Sequence, residues 1–186
     1  MMKKTAVGAI EISSIGIGFQ VQDALLKAAS VELLIARTIC SGKYLIIFAG
    51  GVSDVEAAIE TGLVVGKDSI IDHLTVANVH EGVFPALSQS VVLSPGEGEA
   101  LGIVETFSAV SALIAADVAG KAANVTLFRL NLAMAMGGKG LLMMTGSVAN
   151  VETAVETAAN AIKDRGLLVS QTVIPRPDKA LFNDYL

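Results

Sequence analysis

Among the side chains able to do metal or redox chemistry, Cys40 stands alone as the only cysteine of the 186 residues. It sits in Thr38-Ile39-Cys40-Ser41-Gly42-Lys43, a Ser-Gly turn between two apolar runs, Val31 to Ile39 and Tyr44 to Ala49. One thiol cannot hold an iron–sulfur cluster or a structural zinc, because those sites take three or four protein ligands. It can do so in a ring whose subunits all point the same turn at a shared axis. The two histidines, His73 and His80, lack helical metal-ligand spacing and read as surface or interface residues. Ala135-Met136-Gly137-Gly138-Lys139-Gly140 is not a phosphate loop, since no Ser or Thr follows Lys139 and the first glycine is misplaced. No Ser/His/Asp or Cys/His arrangement and no acid–base pair stands out, so the chain is not read as an enzyme.

Composition narrows the setting in which such a turn could work. The chain is 53% hydrophobic and 17% charged, with a positive mean hydropathy. That leaves too little charged surface for a comfortable monomer and points to large subunit contacts. No run reaches the ~18 uninterrupted apolar residues of a spanning helix, and Glu11 breaks what would be the apolar region of a signal peptide. A single cysteine excludes an internal disulfide and suits a reducing, cytoplasmic compartment. A net charge of −5 without a Lys/Arg run argues against nucleic-acid binding.

The chain is a sequence said twice, and this fixes which elements position the turn. Ala6 to Val31 aligns without gaps on Ala100 to Val125, so that Gly8, Glu11, Asp23 and Lys27 recur as Gly102, Glu105, Asp117 and Lys121. After two extra residues in the second copy, Gly50 to Gly62 aligns on Gly146 to Ala158. The repeated carboxylates, Glu11/Glu105 and Asp23/Asp117, read as framework, since a repeat preserves the framework first. The run Ser94-Pro95-Gly96-Glu97-Gly98 reads as an exposed linker. We therefore expect a first domain over 5–87, a linker over 88–99 and a second domain over 100–182.

Apolar periodicity and turn residues predict strand, helix, strand, strand, helix, strand in each copy. In the first these are Thr5 to Ile12, Phe19 to Ala29, Val31 to Ile39, Tyr44 to Phe48, Ser53 to Thr61 and Ser69 to Val76. Ser53 and Glu56 suggest a capping box at the start of the second helix, with Gly62 closing its far end. In the second copy they are Ala100 to Thr106, Ser108 to Ala122, Val125 to Ala133, Gly140 to Thr145, Asn150 to Ala159 and Leu167 to Val173. The order βαββαβ is a ferredoxin-like α+β arrangement with an antiparallel sheet covered by helices.

Three near-literal motifs go further: Ala100-Leu101-Gly102-Ile103-Val104-Glu105-Thr106, Lys121-Ala122-Ala123-Asn124-Val125 and Val173-Ile174-Pro175-Arg176-Pro177. They resemble the bacterial microcompartment (BMC) shell domain, and two unpermuted copies resemble the tandem shell proteins of that family. The Cys40 turn is similar to that of the propanediol-utilisation branch, apart from a proline there where this chain has Ser41. The resemblance implies a homotrimeric, pseudohexameric tile whose central pore is lined by Ser41, Gly42, Met136, Gly137 and Gly138. It implies a [4Fe–4S] cluster at that pore, with one Cys40 from each of three chains, for electron transfer across the shell. It also implies edge-to-edge contact with other shell proteins through Lys27, Lys121 and Arg176, with His80 in the place corresponding to Arg176, and a possible exchange with enclosed redox enzymes. Two alternatives stay open: the same tile with an open metabolite pore and no cluster, and a small-molecule-binding regulatory module.

Overall fold

The computed structural model describes residues 5–93 and 99–182; the linker run 94–98 lies outside them. The first copy runs β1 (Ala6–Ile12), α1 (Ile15–Ala28), β2 (Glu32–Ile39), β3 (Lys43–Gly50), α2 (Val52–Gly66) and β4 (Ile70–Ala77). A five-residue helix, α3 (Val83–Leu87), leads to the second copy. That copy runs β5 (Ala100–Thr106), α4 (Ala109–Ala122), β6 (Thr126–Leu132), β7 (Gly140–Gly146), α5 (Val148–Lys163) and β8 (Leu168–Pro175). The sheets have orders β2-β3-β1-β4 and β6-β7-β5-β8, with antiparallel pairing throughout. This is the ferredoxin-like α+β fold expected from the sequence, built twice.

In the first unit, α1 and α2 lie on one sheet face. Val21 and Leu25 from α1, and Val55 and Ala58 from α2, join Ile10, Ile46 and Phe48 in a core that is fully buried. Apolar burial on this scale is what holds each sheet to its helices, at about 25 cal/mol per Å². Ser14 and Ser108 cap α1 and α4 by accepting the backbone N–H of Ile17 and Ser111. Both helices therefore begin at a serine that stops the extended chain.

Two expectations need correction. The capping box at Ser53 does not form: α2 starts after Gly51, which has no side chain to cap with, and Ser53 is already inside the helix. The cap residue appears only in the second copy, where Ser147 accepts from Asn150 N–H at 3.4 Å. Gly62 does not end α2 either. The helix continues to Gly66, and Gly62 is present because a Cβ there would lie 2.5 Å from Ile10 Cδ1. The first compact unit takes in the chain up to Val79 together with Ala133–Gly138, and residues 80–93 belong to the second, where α3 packs on β6 and α4.

Candidate functional site

The Cys40 turn closes the β2–β3 hairpin, in which Ile39 faces Lys43 across the ladder. Ser41 and Gly42 both take left-handed backbone, at φ 67° and 71°. Proline fixes φ near −65°, so a relative with proline at the Ser41 position must fold this turn differently. Both residues are exposed, and Cys40 itself is half-buried and free.

The second half of the site comes from the other copy's sequence. Residues Ala133–Gly138, between β6 and β7, belong to the first compact unit. Ala133 O accepts the Cys40 backbone N–H at 3.0 Å, and Ala135 N–H donates to Cys40 Sγ at 3.0 Å. Left-handed residues at Ala133, Ala135 and Gly137 alternate with ordinary backbone at Met134 and Met136, and Gly138 follows at φ 88°. Such alternation turns successive amides toward one point and makes an anion-binding concavity. Two left-handed alanines are costly, about 1–2 kcal/mol each, which marks the loop's shape as specific.

That concavity holds sulfur. Backbone N–H groups of Met136 first and Ala135 next, then Gly137 and Gly138, draw the Cys40 thiol below its ordinary pKa, against a smaller opposing effect of desolvation. Hydrogen bonds to the charged form favour it, so Cys40 is disposed to be a thiolate, the nucleophilic and metal-binding form. Sequence reasoning found the cysteine and, by resemblance, set Met136, Gly137 and Gly138 at the same pore, but missed Ala135 and the bonding of these amides to the sulfur. The available signal was the two-residue insertion and the Gly137-Gly138 pair, since both are suited to positive φ.

Each turn is anchored by a repeated ion pair. Lys43 Nζ lies 2.7 Å from Glu11 Oε1, with the Glu11 side chain fully buried. Lys139 Nζ lies 2.9 Å from Glu105 Oε1, and Ser170 Oγ donates to Glu105 Oε2 at 3.1 Å. The Lys139 hydrogen bond, helped by Ser170, holds the Glu105 carboxyl below the usual carboxylate range. The repeated glutamates are thus framework residues that fix the lysine at the base of each turn.

The remaining sequence-derived residues lie away from the thiol. Lys27 pairs with Asp23 at 2.6 Å and Lys121 with Asp117 at 2.7 Å, each one helical turn apart. Lys27 and Arg176 are exposed. The correspondence of His80 with Arg176 is corrected by the strand register: Ala6 pairs with Ala77 and Ala100 with Pro175, which makes Asn78 the repeat counterpart of Arg176. His73 stands exposed on β4. His80 instead folds onto α4, its ring against Gly120 and its backbone N–H 2.8 Å from Asp117 Oδ1.

Among the described residues no group of three His, Cys, Asp or Glu side chains could hold a metal ion. One chain therefore offers one thiol, drawn toward its thiolate, a single soft donor of the kind an iron–sulfur cluster takes several of. No helix among them is long and apolar enough to cross a membrane.

Comparison with known proteins gives the same architecture. The BMC domain family matches residues 6–79 and 100–177. The bacterial microcompartment shell protein PduT of Citrobacter freundii is 42% identical, over 95% of this chain and 95% of its own length. A crystal structure of a microcompartments protein from Desulfitobacterium hafniense superposes with a TM-score of 0.84 at 38% identity, covering 96% of this chain and 98% of the other. A fused permuted hexameric shell protein of the RMM microcompartment superposes at 0.64 with 25% identity, covering 86% and 82%.

Proposed function

Because this chain belongs to the BMC-domain family and is a structural shell protein of a bacterial microcompartment, we propose that three copies close into a pseudohexameric tile with Cys40 at its axis. Its role is structural and not catalytic. The finer reading is that three Cys40 thiolates hold one [4Fe–4S] cluster in the tile's pore, beside Ser41, Gly42, Met136, Gly137 and Gly138.

The observation that carries this reading is the state of Cys40: a half-buried thiol, held toward the thiolate by backbone amides, on an exposed turn that offers one ligand per chain. Soft anionic sulfur is the donor that iron–sulfur clusters take. Helix α1 supports closure of the ring. Ile15 and Phe19 are 37% and 58% exposed, whereas their repeat partners Ala109 and Leu113 in α4 are 0% and 4% exposed. An apolar helix face covered in one copy and open in the other fits a head-to-tail ring, in which a second chain supplies the missing cover.

When bound, such a cluster supplies one-electron transfer. The chain's own residues supply the thiolate, the amide hydrogen bonds to its sulfur and the Lys43–Glu11 anchor of the turn. Hydrogen bonds to cluster sulfurs raise or lower the potential, which makes the 135–138 loop the tuning element. Lys27, Lys121 and Arg176 suit contacts with other shell proteins at the tile edge. Redox enzymes enclosed in the cytoplasmic organelle would be the electron partners.

A second reading, an open metabolite pore, is favoured by one fact: the thiol already has hydrogen-bond donors within its own unit, so it needs no metal. Anaerobic absorption and EPR spectra of wild type and Cys40→Ser separate the two. A broad visible band with about four irons per three chains, absent from Cys40→Ser, supports the cluster; colourless, iron-free protein in both supports the open pore.

A further inference from the structure

The repeat runs past its two sheets. At Asn78 and Arg176 the chain leaves the last strand of each copy in left-handed backbone, φ 52° and 49°. Each backbone N–H there donates at 2.7 Å, to Thr5 O and to Glu99 O. Two residues on, His80 Nδ1 accepts from Gly82 N–H at 3.2 Å, and Asp178 Oδ1 accepts from Ala180 N–H at 2.8 Å. Val83 N–H then donates to His80 O and Leu181 N–H to Asp178 O, both at 3.0 Å. Residues 176–181 therefore adopt the turn of residues 78–83, although only Asn78-Val79 and Arg176-Pro177 lie within or beside the repeated domains.

The two turns end differently. After the first, Val83 is 1% exposed where α3 meets β6 and α4, and Leu127 on β6 is 2% exposed. After the second, Leu181 is 45% exposed. The surface that the repeat makes equivalent to β6 and α4 is open as well. Leu33 on β2, the partner of Leu127, is only half-buried; Leu26, the partner of Gly120, is 40% exposed, and the Asp23 side chain is 65% exposed. Side-chain sizes are exchanged between the two places: His80 lies against Gly120 in one, and the smaller Asp178 would face the larger Leu26 in the other. Volume-conserving exchanges of this kind keep packing intact.

We propose that residues 178–181 of one chain seat on the β2 edge and helix α1 of a second copy, as residues 80–83 seat on β6 and α4. Leu181 covers Leu33, and the Asp178 backbone N–H donates to the Asp23 carboxylate, repeating the His80–Asp117 bond. This rests on the closed-ring reading and deepens it: each chain clasps the next.

A pair of engineered thiols tests the clasp. A Cβ on Gly82 would lie 3.8 Å from Leu127 Cδ1, so Gly82→Cys with Leu127→Cys serves as the within-chain control, and the test is read with thiol pairs for which that control closes. The corresponding test pair is Ala180→Cys with Leu33→Cys, in a Cys40→Ser background. On oxidation we expect covalent species of two and three chains. A bridge only within one chain, or none while ultracentrifugation still shows trimers, overturns the clasp and leaves the ring standing. Absence of any oligomer overturns the ring and the clasp with it. As a second measurement, a chain ending at Pro177 is expected to associate at least about tenfold more weakly, the loss of one buried leucine; unchanged association overturns the proposal.

Discussion

At the scale of the residue, Cys40 is defined by what points at it. The amides of 135–138 favour the thiolate, so alkylation of the cluster-free protein should reach half its maximal rate at a lower pH than a free thiol does. Gly138→Ala, placing a Cβ in left-handed backbone 3.4 Å from Lys43 Nζ, should disturb the loop and move that midpoint back up. An unmoved midpoint would show that the loop does not hold the sulfur. The linkage has a definite sign. A thiol whose folded pKa is depressed adds stability in full above its unfolded pKa and loses it as pH falls through the lower folded value. Glu105 follows the same rule in the acid range, since Lys139 holds its carboxyl down. The two anchoring pairs should differ in strength. Glu11→Gln breaks a pair with a fully buried carboxylate and is expected to cost about 3 kcal/mol or more. Glu105→Gln breaks a pair whose side chains are 26% and 39% exposed and is expected to cost about 1 kcal/mol or less. Equal losses in urea denaturation would contradict this account of the turns. Cys40 was legible in the sequence as a lone thiol in a tight turn. The amide bonding to its sulfur was not, because the donors come from a segment some 95 positions away and a backbone donor carries no residue type.

At the scale of the element, the contrast between α1 and α4 matters most. Phe19 packs against the Tyr44 ring, 4.9 Å between centroids, and stands 58% exposed. Phe19→Asp should therefore leave the fold intact, with thermal unfolding of the dilute monomer nearly unchanged, while abolishing the oligomer in sedimentation velocity. An oligomer that survives this substitution would place the subunit contact elsewhere. The elements themselves were readable: all eight strands and the four long helices follow from apolar period and turn residues. Helix starts were read unevenly: Ser108 is the cap of α4, but α1 begins at Ile15 and not at Phe19. Ser53-x-x-Glu56 has the letters of a capping box, yet Gly51 is where the chain turns into helix. The short helix α3 also escaped, because Val83–Leu87 contains proline and too few residues to show a period.

At the scale of the whole molecule, one unit is present twice and the copies differ most at the turn that carries Cys40 in the first and Met136-Gly137-Gly138 in the second. The repeat was visible in Gly8/Gly102, Glu11/Glu105 and Lys27/Lys121, and structure extends it to the turns at Asn78 and Arg176. The surface of the assembly was less legible. Exposed Val64, at 72%, and Phe107, at 53%, are apolar residues whose cover is not written in any local pattern. The most direct test of the central claim is native mass spectrometry of anaerobically reconstituted protein, which weighs subunits and cluster together. The account expects a trimer carrying the mass of four irons and four sulfides, and in Cys40→Ser the same trimer without it. An iron-free wild-type trimer, or a Cys40→Ser protein that still carries the cluster, would contradict it.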